Sequence, residues 1–96
     1  MNDMLPIVRQ MHEADGDAAR AAILLALPDL VLAKHAEVFA AACRRARFDG
    51  GEEFVFVRAA ALRAVRDRMG NLPAETALHL AGLRKLMVAV AGVPLP

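Results

Sequence analysis

The sequence predicts an all-α fold: a small antiparallel helical bundle or hairpin of about three main helices, preceded by one or two short N-terminal helices. Three observations lead to this prediction. Apolar residues recur at three- and four-residue spacing, which is the period of an α-helix. Glycine and proline interrupt this pattern at intervals. With 96 residues the chain suits one domain, so residues 1–96 are expected to form a single helical domain.

The N-terminal third is expected to contain two short helices. Pro6 suits a first helical turn, where its missing N–H has no partner to lose, so a short helix is expected at Leu5–His12. Asp17 is expected to cap a second helix that continues to Leu27. Pro28 then breaks the chain, because it cannot donate to the preceding turn.

Three main helices are expected to follow. The first spans Asp29–Phe48, where apolar and charged residues separate onto opposite sides, and Gly50–Gly51 is expected to stop it. The second spans Glu52–Met69, with acidic residues at its start and Gly70 at its end. The third spans about Pro73–Ala91.

Composition favours a protein that packs against other helices. Apolar residues make up 57% of the chain, and tryptophan and tyrosine are absent. Sites that stack sugars, bases or flat cofactors usually need more aromatic surface. The apolar excess in a short chain indicates burial between subunits or against a partner, or else a looser core rich in alanine.

Charge is nearly balanced, with a net value of +1, but basic residues concentrate in the second half. That distribution suits either a phosphate-bearing partner or attraction between the two ends of a helical hairpin. A nucleic-acid-binding accessory protein that uses the basic residues of Arg44–Arg68 is therefore the alternative function. Acidic residues dilute this cluster, and stacking aromatics are scarce.

No group of residues predicts catalysis, a metal site or a cofactor. His35 falls on an apolar face and is expected to be a core or interface histidine. Glu75 and His79 are four residues apart and can pair, but two ligands do not make a zinc site. Cys43, the single cysteine, is expected to be buried and structural. We therefore do not expect an enzyme.

A cytoplasmic location is expected. One cysteine cannot form an internal disulfide, and the first residues lack a secretory signal pattern. No apolar run approaches the roughly 18 residues that span a membrane.

Arg58 falls in the middle of an apolar stripe. An unpaired charge is costly there, so two interpretations are open. The side chain either reaches out of the core along its stem, or forms a buried ion pair with Asp29, Glu37 or a partner carboxylate.

The last helix is apolar on more than one side, which is typical of a helix that other elements surround. Gly82, in its middle, is expected to mark a close approach by another helix or backbone. We therefore expect a homodimer, a protein partner, or both. The expected partner-binding residues are Phe54, Phe56, Arg58, Leu78 and Leu86.

The order of helix, Gly-Gly hinge and apolar helix resembles the TraM-type anti-activators of bacterial quorum sensing. The residues that carry the resemblance are Leu30-Val31, Lys34, Glu37-Val38-Phe39, Ala41, Gly50-Gly51, Leu83, Leu86-Met87, Gly92 and Pro94. The family consists of small helical proteins that bind and silence a LuxR-type transcription factor. The resemblance implies a bacterial regulator that sequesters a transcription factor, and it assigns no individual functional residue.

Overall fold

The all-α prediction is confirmed by a computed structural model, which describes residues 6–92. Over these residues the chain forms five helices and no strand: α1 (Pro6–Glu13), α2 (Asp17–Ala26), α3 (Asp29–Arg45), α4 (Asp49–Arg63) and α5 (Ala74–Ala91). The predicted start at Leu5 and the Pro94 of the resemblance lie outside the described residues. Within residues 6–92 no helix has both the length and the apolar character to cross a membrane.

The helices pack in antiparallel pairs. A three-residue turn joins α3 to α4, which run in opposite directions. The next pair, α4 and α5, is also antiparallel, because His79 near the start of α5 contacts Glu53, whereas Leu86 lies beside the earlier Gly50. The second helix packs mainly on α5, and α1 packs on α2 and α3. The radius of gyration, 13.6 Å, is that of a compact chain of this length.

All five helices contribute to a single core. The largest fully buried side chains include at least one from each helix: Met11, Leu24, Leu32, Phe39, Phe54 and Met87. Burial of one such side chain contributes roughly 1.5–3 kcal/mol relative to its exposure. The apolar faces predicted from helical spacing therefore meet in one interior in part, since Leu62, Val65 and Met69 of the predicted stripe on the fourth segment are exposed.

The third helix ends three residues earlier than predicted. It stops at Arg45 instead of Phe48, and a Schellman motif closes it. The amide of Phe48 donates to the carbonyl of Cys43 at 2.8 Å, and the amide of Arg47 donates to that of Arg44 at 3.1 Å. Arg47 has a φ of 58°, a left-handed conformation that costs a non-glycine residue about 1–2 kcal/mol. No glycine therefore marks this helix end in the sequence.

Gly50 and Gly51, predicted to stop a helix, lie in the first turn of α4. They are needed there for close packing. A Cβ atom at Gly51 would lie 2.6 and 2.7 Å from two ring carbons of Phe48 and 3.0 Å from the sulfur of Cys43. A Cβ atom at Gly50 would lie 3.0 Å from Cδ2 of Leu86. The pair lets the α3–α4 turn close and lets α5 approach α4.

The fourth helix ends at Arg63, six residues before the predicted Met69. Ala64 is already extended, and further on the carboxylate of Asp67 accepts hydrogen bonds from the amides of Met69 at 2.8 Å and Asn71 at 2.9 Å. Such local side-chain bonds offer the backbone an alternative to the helix. Gly70, predicted as the helix stop, lies in the resulting connection with a φ of 81°.

Asp17 does not cap α2 as predicted. It is the first helical residue, the cap position is Gly16, and no side-chain bond caps the helix. Asp17 instead forms a 2.9 Å ion pair with Arg20, one turn further on. The last helix begins at Ala74, one residue after Pro73, and ends at Ala91 as predicted.

We expect Gly51→Ala to lower the free energy of unfolding by about 1–3 kcal/mol, because the buried ring of Phe48 leaves no room for a methyl group. Gly82→Ala is the matched control. Apart from the adjacent part of its own helix, no described residue comes within 4 Å of a Cβ added there, so this change should raise stability by up to about 1 kcal/mol. Urea denaturation followed by circular dichroism compares the two. Equal stability of both variants would contradict the packing role of Gly51.

Candidate functional site

The five predicted partner-binding residues do not share one surface. Phe54 is fully buried and Arg58 is only 7% exposed, so both side chains belong to the interior. Phe56 is half-buried and lines a small groove between α3 and α4. Leu78 is 75% exposed and Leu86 is 45% exposed. The prediction is corrected for Phe54 and Arg58, whose side chains offer no surface to a partner; for the other three it stays a prediction.

Arg58 forms the internal ion pair that was one of its two interpretations. Its Nη2 atom donates to Asp29 Oδ1 at 2.7 Å and to the carbonyl of Leu27 at 2.6 Å. Its Nη1 atom donates to the carbonyl of Leu24 at 3.1 Å. The guanidinium carbon also lies 6.0 Å from the ring centroid of Phe54, within the range of a cation–π contact. The buried charge is therefore paired within the chain.

The backbone around Pro28 explains why an arginine is needed at this position. In a continuous helix the carbonyl of Leu24 would accept from the amide four residues later, but that residue is Pro28, which has no N–H. The guanidinium of Arg58 replaces this missing donor and also satisfies Leu27, the residue that follows α2. Arg58 therefore joins the end of α2 and the start of α3 to the middle of α4.

Cys43 is buried, as predicted, and its thiol has little reactivity. Burial raises the pKa of Cys43 to about 11, and the negative charge of Glu52 contributes to the increase. The charge of Arg44 is paired with Glu52, with its Nη2 atom 2.6 Å from Oε2. The residue therefore fills the α3–α4 turn and is a poor nucleophile.

Neither His35 nor His79 lies in the interior of the bundle. His35 is half-buried on the edge of the α3–α4 groove rather than in the core, and its φ of −119° and ψ of 24° break the regularity of α3. His79 contacts Glu53 of α4, with Nε2 2.7 Å from Oε1, rather than Glu75 in its own helix. Among the described residues no three His, Cys, Asp or Glu side chains converge on a possible metal position.

The basic residues of Arg44–Arg68 do not form one cluster. One group lies where α3 ends, and the other lies at and beyond the end of α4: Arg44, Arg45 and Arg47, then Arg63, Arg66 and Arg68. The 15 residues of α4 separate the groups by about 22 Å of helix. Arg58, between them, is buried. The nucleic-acid alternative therefore lacks the single basic surface on which it was based.

Exposed apolar side chains concentrate at one end of the bundle. The antiparallel arrangement brings the start of α3, the end of α4 and the connection 64–73 to the same end. Four of the seven large apolar residues that are exposed within residues 6–92 belong to these segments: Leu30, Leu62, Val65 and Met69. We call these four residues the apolar end. Val65 is 89% exposed and Met69 is 84% exposed, so water covers most of both side chains.

The connection 64–73 has a defined backbone. The amides of Met69 and Asn71 donate to Asp67, and in addition Arg66 donates to the carbonyl of Gly70 at 3.0 Å. The bond from the Asn71 amide lowers the pKa of Asp67 below its usual 3.8, and the Met69 amide adds to the effect. This conformation is therefore fully supported above about pH 4 and loses that support as the pH falls through the lowered pKa. A groove of about 440 Å³ opens beside Val65.

The last helix has two apolar sides, as predicted. Leu83 and Met87 are buried against the bundle. Leu78 is nine residues before Met87, which places the two on opposite sides of an α-helix, and it is exposed. No other part of the described chain comes within 4 Å of a Cβ placed on Gly82. The close approach predicted at Gly82 is therefore not made within the described residues.

Comparison of the chain with protein-family models, with characterised proteins and with solved structures finds no match. The resemblance to TraM-type anti-activators therefore stays a prediction from the sequence. The class that the fold itself defines is an all-α helical bundle.

We expect Arg58→Met to lower the free energy of unfolding by about 2–4 kcal/mol, because two backbone carbonyls lose their donor. Asp29→Asn should cost less than about 1 kcal/mol, since the Asp29 side chain is 63% exposed. Urea denaturation of both variants measures the difference. An Arg58→Met protein as stable as the wild type would contradict the role assigned to this residue.

We expect Cys43 to resist thiol reagents in the folded protein. A pKa of about 11 leaves roughly one thiol in a thousand ionised at about pH 8, and the sulfur is buried. The release of thionitrobenzoate from Ellman's reagent gives the rate. An Ala60→Cys variant, whose added thiol lies on the surface of α4, serves as the reactive control. Rapid labelling of the wild type without denaturant would contradict this burial.

Proposed function

We propose that this chain is a non-enzymatic regulatory or adaptor module of the cytoplasm that acts by binding proteins, both a partner and a second copy of itself. The observation that carries the proposal is the concentration of exposed apolar side chains at the apolar end. Apolar area removed from water contributes roughly 25 cal/mol per Å². Large exposed apolar patches mark interaction sites on soluble proteins.

The backbone of the apolar end supports this proposal. Val65 and Met69 belong to the connection that Asp67 holds together by hydrogen bonds. The two side chains are therefore presented to solvent by an organised loop. A partner that covers them has less loop entropy to remove on binding than it would with a disordered segment.

The charges around the apolar end indicate what kind of partner it suits. Arg63, Arg66 and Arg68 flank the exposed apolar residues and are themselves exposed. Arg63 and Arg68 form no ion pair with any carboxylate of residues 6–92. Complementary charge favours association and selects among partners. We therefore propose a partner surface that combines apolar side chains with Asp or Glu.

The resemblance to TraM-type anti-activators provides one candidate, a LuxR-type transcription factor that this chain would sequester. The resemblance concerns the order of helices and the Gly-Gly pair, so it supports the class of partner and does not identify a binding residue. A helical bundle with an exposed apolar surface is compatible with such stoichiometric binding.

We expect Val65→Glu and Met69→Glu to reduce partner capture at least about tenfold, because each would bury an unpaired charge in the complex. Both side chains are exposed, so neither change should alter the stability of the free protein. The tagged proteins are incubated with extract of the source cells, and captured proteins are quantified by mass spectrometry. Val38→Glu, a change at an exposed apolar residue in the middle of α3, is the matched control.

The outcomes separate the candidate functions. Equal recovery of one protein by the wild type and all three variants would move the binding surface away from the apolar end. Nucleic acid that is captured and then released by added salt would favour the alternative function in its place. Recovery of a single transcription factor near one-to-one with the wild type would support the regulatory proposal.

A further inference from the structure

We infer that two copies of this chain associate through the exposed side of α5, with the two helices antiparallel and a two-fold axis near residue 80. This inference rests on the self-association included in the proposed function, and it adds the surface, the orientation and the register. The surface is separate from the apolar end, which is proposed for the other partner.

The exposed side of α5 is mostly apolar or small. It lies opposite the buried Leu83 and Met87 and follows the three- and four-residue spacing of a helical seam. The residues along it are Ala74, Glu75, Leu78, Ala81, Gly82, Lys85, Leu86 and Ala89. All are exposed, although Leu86, at 45%, also lies beside Gly50 of α4. A helix that is apolar on two opposite sides suits a position between two packing partners.

Gly82 and Leu78 fit each other across such a pair. Glycine in the middle of an exposed helix lowers helix stability, and no contact within residues 6–92 explains its presence here. Leu78, one turn earlier, is the most exposed large apolar residue of α5. In an antiparallel pair centred on residue 80, each Leu78 lies over Gly82 of the second copy. The missing side chain then accommodates the leucine.

The charges on this side of α5 select the same register. Glu75 and Lys85 are exposed, and neither forms an ion pair within residues 6–92. They are also symmetric about residue 80, so each Glu75 faces Lys85 of the second copy. A parallel pair would instead place like charges together. Ala74 and Leu86 are also symmetric about residue 80. The small side chain of Ala74 in one copy therefore faces the large side chain of Leu86 in the other.

The size of the contact predicts a weak dimer. The paired segment, residues 74–86, covers about 20 Å of helix. An interface of one helix per copy falls at or below the lower limit of stable protein interfaces, so we expect dissociation in the micromolar range or weaker. Dimerisation should therefore respond to protein concentration.

Charge reversal gives the sharpest test. Glu75→Lys creates two Lys–Lys contacts in the dimer, and Lys85→Glu creates two Glu–Glu contacts. We expect each variant alone to dimerise at least about tenfold more weakly than the wild type in sedimentation equilibrium. An equimolar mixture of the two should recover the wild-type association, because both contacts in the mixed dimer then join Lys to Glu. Lys34→Glu and Glu37→Lys, exposed on α3, are the matched controls.

Gly82→Leu tests the apolar part of the interface. The free chain has room for the added side chain, so the folded monomer should be at least as stable to urea as the wild type. The dimer should be lost, because each Leu78 would then face a leucine side chain in the second copy where Gly82 had left space. Ala60→Leu, on the exposed side of α4, should leave dimerisation unchanged.

Two results would overturn the inference. One is a wild-type protein that is monomeric up to sub-millimolar concentration. The other is a dimer that is insensitive to Gly82→Leu and to both charge reversals. Neither result bears on the apolar end, because capture of a partner is tested there by Val65→Glu and Met69→Glu. A monomeric wild type would also remove self-association from the proposed function, whereas partner binding at the apolar end stands or fails by the capture experiment alone.

Discussion

The fold depends on one constraint, the need to end α2 at Pro28 without leaving buried carbonyls unpaired. Pro28 removes the amide that would serve Leu24, and the guanidinium of Arg58 takes its place. The same group binds Leu27 and Asp29, so one side chain fixes where α2 stops, where α3 starts and how α4 lies against both. The charge is buried, yet no buried polar side-chain atom in the described residues lacks a partner.

Helical class and the position of α5 could be predicted from the sequence, because apolar spacing and the flanking Pro73 and Gly92 all point to the same answer. The residues at which α3 and α4 end could not be predicted. Arg47 takes a left-handed conformation that glycine usually marks, and Asp67 holds residues 67–71 in a non-helical turn through bonds that its residue type alone does not predict. In both cases a specific local contact overrides propensity.

The candidate surfaces show a similar division. Spacing identifies which residues share a face, but it does not say which face the rest of the chain covers. Phe54 and Leu78 were therefore predicted as equivalent contacts, although one is in the core and the other is in solvent. For Arg58 the sequence left two interpretations open, and the structure shows the ion pair with Asp29, because a charge within a buried apolar stripe requires a partner. The first part of the connection, residues 64–69, was missed, since it was predicted to be helical.

The bonds of Arg58 also have a consequence for the order in which the chain can fold. The α3–α4 hairpin joins neighbours in sequence, whereas the bonds of Arg58 close separations of 29 to 34 residues. Local hairpins form quickly, and long loop closures are slower. The guanidinium can therefore stay hydrated on the hairpin until the end of α2 arrives. When α2 docks, the guanidinium of Arg58 exchanges its bound water for carbonyl acceptors in one step. This coupling favours late assembly of the N-terminal helices.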